Sequence, residues 1–156
     1  MNTIRKAQKE DTPELAALFN RYRVFYSQKE DIPGAINFIR ERMSAGDSHI
    51  LISCSEKGML TGFTQLYPLY SSTRMKRLWL LNDLFVLEEH RGKGISKQLI
   101  AAAKNLAIST NACGLLLETA TSNQVGNQLY PATGFKLESG SNFYFWNNQQ
   151  SKNKKS

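Results

Sequence analysis

The strongest constraint on the fold lies mid-chain, where an apolar run passes through two glycines straight into an apolar-striped segment. Residues 77–87, RLWLLNDLFVL, are apolar almost throughout, the composition of a central strand covered on both faces. EEHRGKG follows, and then ISKQLIAAAKNLAIST. There Ile95, Leu99, Ile100, Ala103, Leu106 and Ala107 recur at helical spacing, so a helix of about four turns is expected. A buried strand feeding a helix through a glycine turn requires helices packed on a sheet.

The rest of the chain fits that plan. Thr3 to Lys6 is a short strand. Thr12-Pro13-Glu14 opens a helix, with Thr12 as cap, and Leu15, Leu18, Phe19 and Tyr22 mark its apolar face. Pro33-Gly34 breaks the chain before a second helix, carried by Ile36, Ile39 and Met43 and ended near Gly46. HILISCS, residues 49–55, and Met59 to Tyr67 read as partner strands around the turn Glu56-Lys57-Gly58. Pro68 to Lys76 reads as a polar loop. Beyond the central helix, Gly114 to Thr119 is expected as another buried strand and Asn123 to Thr133 as a short helix ending at Gly134. Phe135 to Glu138 and Asn142 to Trp146 suggest a closing hairpin around Gly140. The fold class is α/β, with a mixed, mostly antiparallel sheet flanked by helices. One domain spans residues 1–147, and the polar basic tail 148–156 is expected to be disordered.

A chain of 156 residues can bury a core without disulfides or metals. Cys54 and Cys113 lie far apart with no second ligand at zinc spacing. Both read as buried small hydrophobes in a reduced, cytoplasmic protein, and no metal site is expected. No apolar run approaches the about 20 residues of a membrane span, and with the polar start MNTIRKAQKEDTPE no signal peptide is expected. No membrane partner is therefore expected. The net charge is +7, of which Lys152, Lys154 and Lys155 in the tail supply three, leaving +4 on the body. That suits an anionic ligand as well as it suits nucleic acid. A nucleic-acid surface would interleave aromatic and basic residues on one face. Here the basic residues gather at the glycine loop and the tail, and no nucleic-acid partner is expected.

The glycine loop carries the first chemistry. Gly92 and Gly94 sit where a strand becomes a helix, so backbone N–H groups can crowd round an anion and the helix adds its partial positive charge. Arg91, Lys93, Lys97 and Lys104 are positive, with no acid from His90 to Thr110. The stretch reads as a pyrophosphate cradle, although RGKG alone is equally a plain strand–helix turn with solvated charges. It is not a Walker A loop, because GxxxxGK[ST] is absent, nor a dinucleotide fingerprint, because Lys97 stands where the third glycine is needed. About thirty residues further on comes NQVGNQLYPATGF, beginning at Asn123.

LFVLEEHRGKGISKQLI followed by NxxGxxLYxxxGF, in that order and at that spacing, resembles the GNAT N-acetyltransferases. The resemblance covers about residues 3–146. It implies the GNAT acyltransferase fold, acetyl-CoA as co-substrate and direct acetyl transfer to an amine. It also implies that Arg91, Gly92, Lys93, Gly94, Ile95 and Ser96 bind the CoA pyrophosphate through backbone amides. Leu84, Phe85 and Val86 would hydrogen-bond the pantetheine arm and polarise the thioester carbonyl, Asn123 would touch the CoA arm, and Tyr130 would be the general acid. Two positions depart from the family pattern: Glu89 stands where the six-residue motif often begins with Gln or Arg, and Gly126 where Ala is usual. A homodimer is the family-based expectation.

On the acceptor side, Asp83 stands among apolar residues on the central strand, where an unpaired carboxylate would be costly. It is the candidate base or amine-orienting group, and equally a carboxylate that holds a loop. Glu118 is a weaker candidate. Tyr22, Tyr26, Tyr67 and Tyr70 are candidates to line an acceptor pocket, while His49 and His90 are expected to be non-catalytic. YRVFY, GFTQLYPLYSSTRMKRLWLLNDLFV and ETATSN resemble a branch near polyamine, D-amino-acid and histone acetyltransferases. That implies a small primary amine of the polyamine or amino-acid class. The alternatives are a lysine side chain of a protein or peptide, or a non-catalytic acyl-CoA-binding module.

Overall fold

The computed structural model describes residues 1–150. Nine elements run in the order β1 (Thr3–Lys6), α1 (Thr12–Phe25), α2 (Ile32–Ala45), β2 (His49–Cys54), β3 (Leu60–Ser71), β4 (Lys76–Val86), α3 (Ile95–Ser109), β5 (Leu115–Leu116) and α4 (Gln124–Ala132). The five strands form one sheet in sequence order, with β1 to β4 antiparallel and β5 parallel to β4. This is the mixed, mostly antiparallel sheet expected from the sequence. The parallel step is possible because α3 supplies the crossover.

The sheet separates two apolar layers. Leu15, Phe19, Ile39, Ile52, Phe63 and Phe85 pack on the α1–α2 face, and Leu66, Trp79, Leu81, Val86, Leu99 and Ile100 on the α3 face. Gly62 lets backbone and helix close up: a β-carbon there would lie 2.8 Å from the Phe85 carbonyl oxygen and 3.4 Å from Leu99 Cδ1.

Five expectations are corrected. Pro33-Gly34 does not break the chain but sits in the first turn of α2, where proline loses no helix hydrogen bond, and Asp31 Oδ1 caps it by accepting from Gly34 N at 2.9 Å. Pro68 to Lys76 is not a loop: the β3–β4 ladder runs on to Ser71 and Lys76, closed by a turn at 72–75. Arg77 holds this ribbon across the ladder, stacking over Tyr70 and donating to its hydroxyl at 3.0 Å, and it also lies over Trp79 two residues along its own strand. Gly114 to Thr119 pairs only at Leu115 and Leu116, both half-buried, because β5 leaves β4 after Leu80. The closing hairpin is absent: residues 135–148 carry no strand, and Phe143, Tyr144, Phe145 and Trp146 are exposed. A hairpin needs a ladder to dock on, and β5 offers two residues. Cys54 is buried as expected, whereas Cys113 is half-buried in the turn before β5. Most of the expected disordered tail, residues 151–156, lies outside the described residues.

Candidate active site

At the end of β4 the chain makes a short 3-10 turn, Glu88–His90, and reaches Gly92 and Gly94, both left-handed at φ 75° and 78°. Gly94 is the residue before α3, and no side chain caps that helix start. A β-carbon at either glycine would meet nothing within 4 Å. The glycines thus serve the backbone conformation and leave the ground above the helix open. Its first-turn N–H groups face that opening, a setting worth about 0.3–1 kcal/mol to an anion at an exposed helix start. Lys93 and Lys97 are exposed beside it. Arg91 and Lys104 behave otherwise than expected. The Arg91 N–H already donates to the Glu88 carbonyl at 3.2 Å. Its guanidinium folds back over Phe25 and Phe85 and donates to the Val86 carbonyl at 2.9 Å. Lys104 donates to the Thr133 carbonyl at the end of α4 and lies over Phe135. The open cradle therefore begins at Gly92.

Asp83 owes its position to a β-bulge. Gln65 faces Asp83 across the ladder but Leu66 faces Leu81, so Asn82 is the extra residue. The bulge switches the side-chain alternation of β4: Trp79 and Leu81 point to the α3 face, yet Phe85 points to the α1–α2 face. Asp83 goes with Phe85. It is 5% exposed, accepts from Gln65 Nε2 at 2.8 Å and Asn82 Nδ2 at 3.1 Å, and faces the Tyr22 phenol of α1. Burial, and then the Asp83 charge, push the Tyr22 hydroxyl far above the ordinary phenol range. The same two causes, in that order, push Tyr67 up to about 12. Tyr22 also packs edge-on against Tyr26, Phe63 and Phe85. Asp83 is thus a buried carboxylate with amide and phenol partners, as burial requires.

The other candidates divide. Tyr130, on α4, is half-buried against the α3-side core, packs edge-on to Phe135 at 5.8 Å, and has its phenol raised by burial and then by Tyr26. Asn123 caps α4, accepting from Gly126 N at 3.1 Å, and donates to Thr119 Oγ1 at 2.9 Å. A β-carbon at Gly126 would come within 2.5 Å of that capping side chain, which gives Gly126 a local reason. Leu84, Phe85 and Val86 pair with Thr64, Phe63 and Gly62 on one side, while on the other β5 pairs no further than Leu80. Among the described residues, that side of β4 from Leu81 to Val86 has no neighbouring strand. Glu118 is exposed beyond β5, and Tyr70 lies on the outer ribbon with Arg77. His49 stacks edge-on to Trp79, and His90 ends the 3-10 turn. A cleft of about 490 Å3 between α1 and the end of β4 is lined by Asn20, Arg21, Glu30, Phe85, Glu88 and Arg91 among others. Sequence reasoning missed Gln65 and Ser48. Gln65 could have been found as the one amide between Phe63 and Tyr67 in a strand alternating towards a single face.

An open strand edge, an uncapped helix start behind two left-handed glycines and a buried carboxylate on the α1–α2 face thus lie around the end of β4. The model of the acetyltransferase (GNAT) family matches residues 12–135. An N-acetyltransferase of Bacillus subtilis (strain 168), YhfO, described as uncharacterized, is 43% identical over 137 residues, 88% of this chain and 91% of its own. A probable acetyltransferase of Haemophilus influenzae is 34% identical over 85% of this chain and 88% of its own. A crystal structure of a probable acetyltransferase superposes with a TM-score of 0.91 at 32% identity, covering 94% of this chain and 98% of that one. The aminoglycoside N-acetyltransferase AAC(6')-Iy in complex with CoA shares the fold, with a TM-score of 0.80 at 19% identity over 96% and 95% of the two chains. The chain belongs to the GNAT family of acetyltransferases. It is an acetyltransferase with the GNAT fold.

Proposed function

We propose that this chain transfers the acetyl group of acetyl-CoA directly to a primary amine of a small molecule, of the polyamine or amino-acid class. The observation that carries the reading is the Asn82 bulge, which turns a buried carboxylate under the unpaired end of β4. The open cradle at Gly92–Ser96 fits a pyrophosphate, with Lys93 and Lys97 beside it, and that end of the strand gives pantetheine a backbone to bond. A primary amine, with a reference pKa of about 10.4, arrives protonated and must lose a proton before attack. Asp83 accepts it. The nitrogen adds to the thioester carbonyl, and a β4 backbone N–H holds the oxyanion. Collapse breaks the C–S bond, and Tyr130 protonates the departing thiolate. Water takes the proton shed by the new amide nitrogen, Asp83 passes its proton to bulk solvent and the tyrosinate takes one back, so that one proton is released for each acetyl group transferred.

The test has two parts. Acetyl-CoA and CoA should raise the melting temperature, as a native-state ligand must. Gly94→Glu, which puts a carboxylate into the cradle, should abolish that rise. No shift at millimolar CoA sinks the cradle. An acetylation screen with polyamines, L- and D-amino acids, aminoglycosides and a lysine peptide then fixes the acceptor. Turnover of the peptide alone replaces the small-amine reading.

A further inference from the structure

Asp83 does not stand alone on its face of the sheet. Gln65 is fully buried, and its side-chain amide is held at both ends: Nε2 donates to Asp83 Oδ2 at 2.8 Å, and Oε1 accepts from the Ser48 hydroxyl at 3.0 Å. Ser48 comes from the loop between α2 and β2. Gly46 ends α2 in the left-handed conformation, its N–H donating to the Arg42 carbonyl at 3.0 Å, and Asp47 pairs with Arg42 Nε at 3.0 Å. The Gly46 bond anchors the loop two residues before the serine.

An amide has two ends of similar size and opposite polarity. The Asp83 carboxylate only accepts, so it selects Nε2 and leaves Oε1 in need of a donor, which the Ser48 hydroxyl supplies. Without Ser48 the Gln65 side chain loses one of its two anchors and can leave the rotamer that meets Asp83. We propose that Gln65 and Ser48 are positioning residues: Ser48 anchors the far end of the Gln65 side chain so that its amide stays against Asp83, and Gln65 fixes the rotamer in which Asp83 meets the acceptor amine. Neither residue touches the reacting atoms. The proposal rests on Asp83 acting on the amine.

The experiment uses the full chain and the panel amine with the highest kcat/KM. Ser48→Ala should lower kcat about three- to tenfold, the worth of one hydrogen bond, with KM for acetyl-CoA unchanged and a modest fall in melting temperature, because the buried Gln65 oxygen loses its donor. Ser48→Thr keeps the hydroxyl and should restore kcat. Gln65→Leu removes a bond to a charged partner and should lower kcat about 10- to 100-fold. In an Asp83→Asn background Ser48→Ala should cost nothing further, because there is no carboxylate left to aim. Wild-type kcat in Ser48→Ala overturns the proposal, as does an Ala effect that Thr fails to rescue. If Gln65→Leu does not fold, the Ser48 pair decides alone. If Asp83→Asn itself keeps full activity, the amine-binding role of Asp83 fails. A Ser48 effect that persists in that background leaves Asp83 intact but removes Ser48 as its aid.

Discussion

In β2 and β3 nearly every residue up to Leu66 is shielded from water, and Ile52, Phe63 and Leu66 are completely so. Beyond Gly114 the one buried residue among those described is Gly126, while Leu137 and the run from Phe143 to Trp146 stand in solvent. The two regions divide the proposed chemistry between them. Asp83 and the end of β4 belong with the tightly packed region, and the glycine cradle opens at its edge. Tyr130 belongs to the other, fastened by its contacts with Phe135 and by the Lys104 bond at the end of α4. Groups that must be held to fractions of an ångström sit where packing is dense. A proton donor needed only when the thiolate departs sits on a short helix with less behind it.

The sharpest test of this division is catalytic. Asp83→Asn should lower kcat/KM for the amine at least about 100-fold while CoA affinity is unchanged, the lower end of what a positioned base contributes. A variant that unfolds instead would make the carboxylate a structural element of the dense region. Tyr130→Phe removes only a hydroxyl and should cut kcat about tenfold, with melting temperature and CoA binding retained. The loss should shrink with an acyl donor whose thiol is more acidic. Full kcat where chemistry is rate-limiting would assign the proton donor to water.

Stability tests the packing directly. Gly62→Ala forces a methyl against the Phe85 carbonyl and should cost about 1–3 kcal/mol in urea unfolding. Trp146→Ser in the exposed run should cost less than about 0.5 kcal/mol. Should the tryptophan change cost as much as the glycine one, the C-terminal segment packs in solution and the division weakens.

The smallest effect is expected from pH. Burial, and then the Lys6 charge, hold the folded-state pKa of His49 below its ordinary value. The unfolded chain therefore binds the proton first. Stability should be complete above about pH 6.5 and fall as pH drops towards the folded pKa. His49→Asn should flatten that slope in urea midpoints measured from pH 7 to 5.

The dense region was the legible one. Its strands are long, its helices carry clear stripes, and the glycine loop joins a strand to a helix in a single reading frame of residues 77–110. Pro68 and the polar stretch around Ser71 hid the extension of β3, because its ladder is secured by the pair of Tyr70 and Arg77 across the ribbon rather than by alternation along it. Asp83 stood out as a carboxylate among apolar residues. Its face could not be read, because a bulge of one residue reverses the alternation and leaves no mark in composition. Ser48 was invisible for a related reason: its role depends on a contact 17 residues away. The C-terminal hairpin was misjudged because aromatic residues favour strands only where a neighbouring strand is present to pair with.

Four consecutive exposed aromatics also bear on how the protein behaves in a tube. A net charge of +7 keeps copies apart at low ionic strength, while the patch formed by Phe143, Tyr144, Phe145 and Trp146 favours their sticking. Added salt weakens the first influence, with a screening length of about 10 Å at 0.1 M and about 3 Å at 1 M, and leaves the second in place. Concentrated stocks should stay clearest in dilute buffer and turn cloudy as sodium chloride is raised.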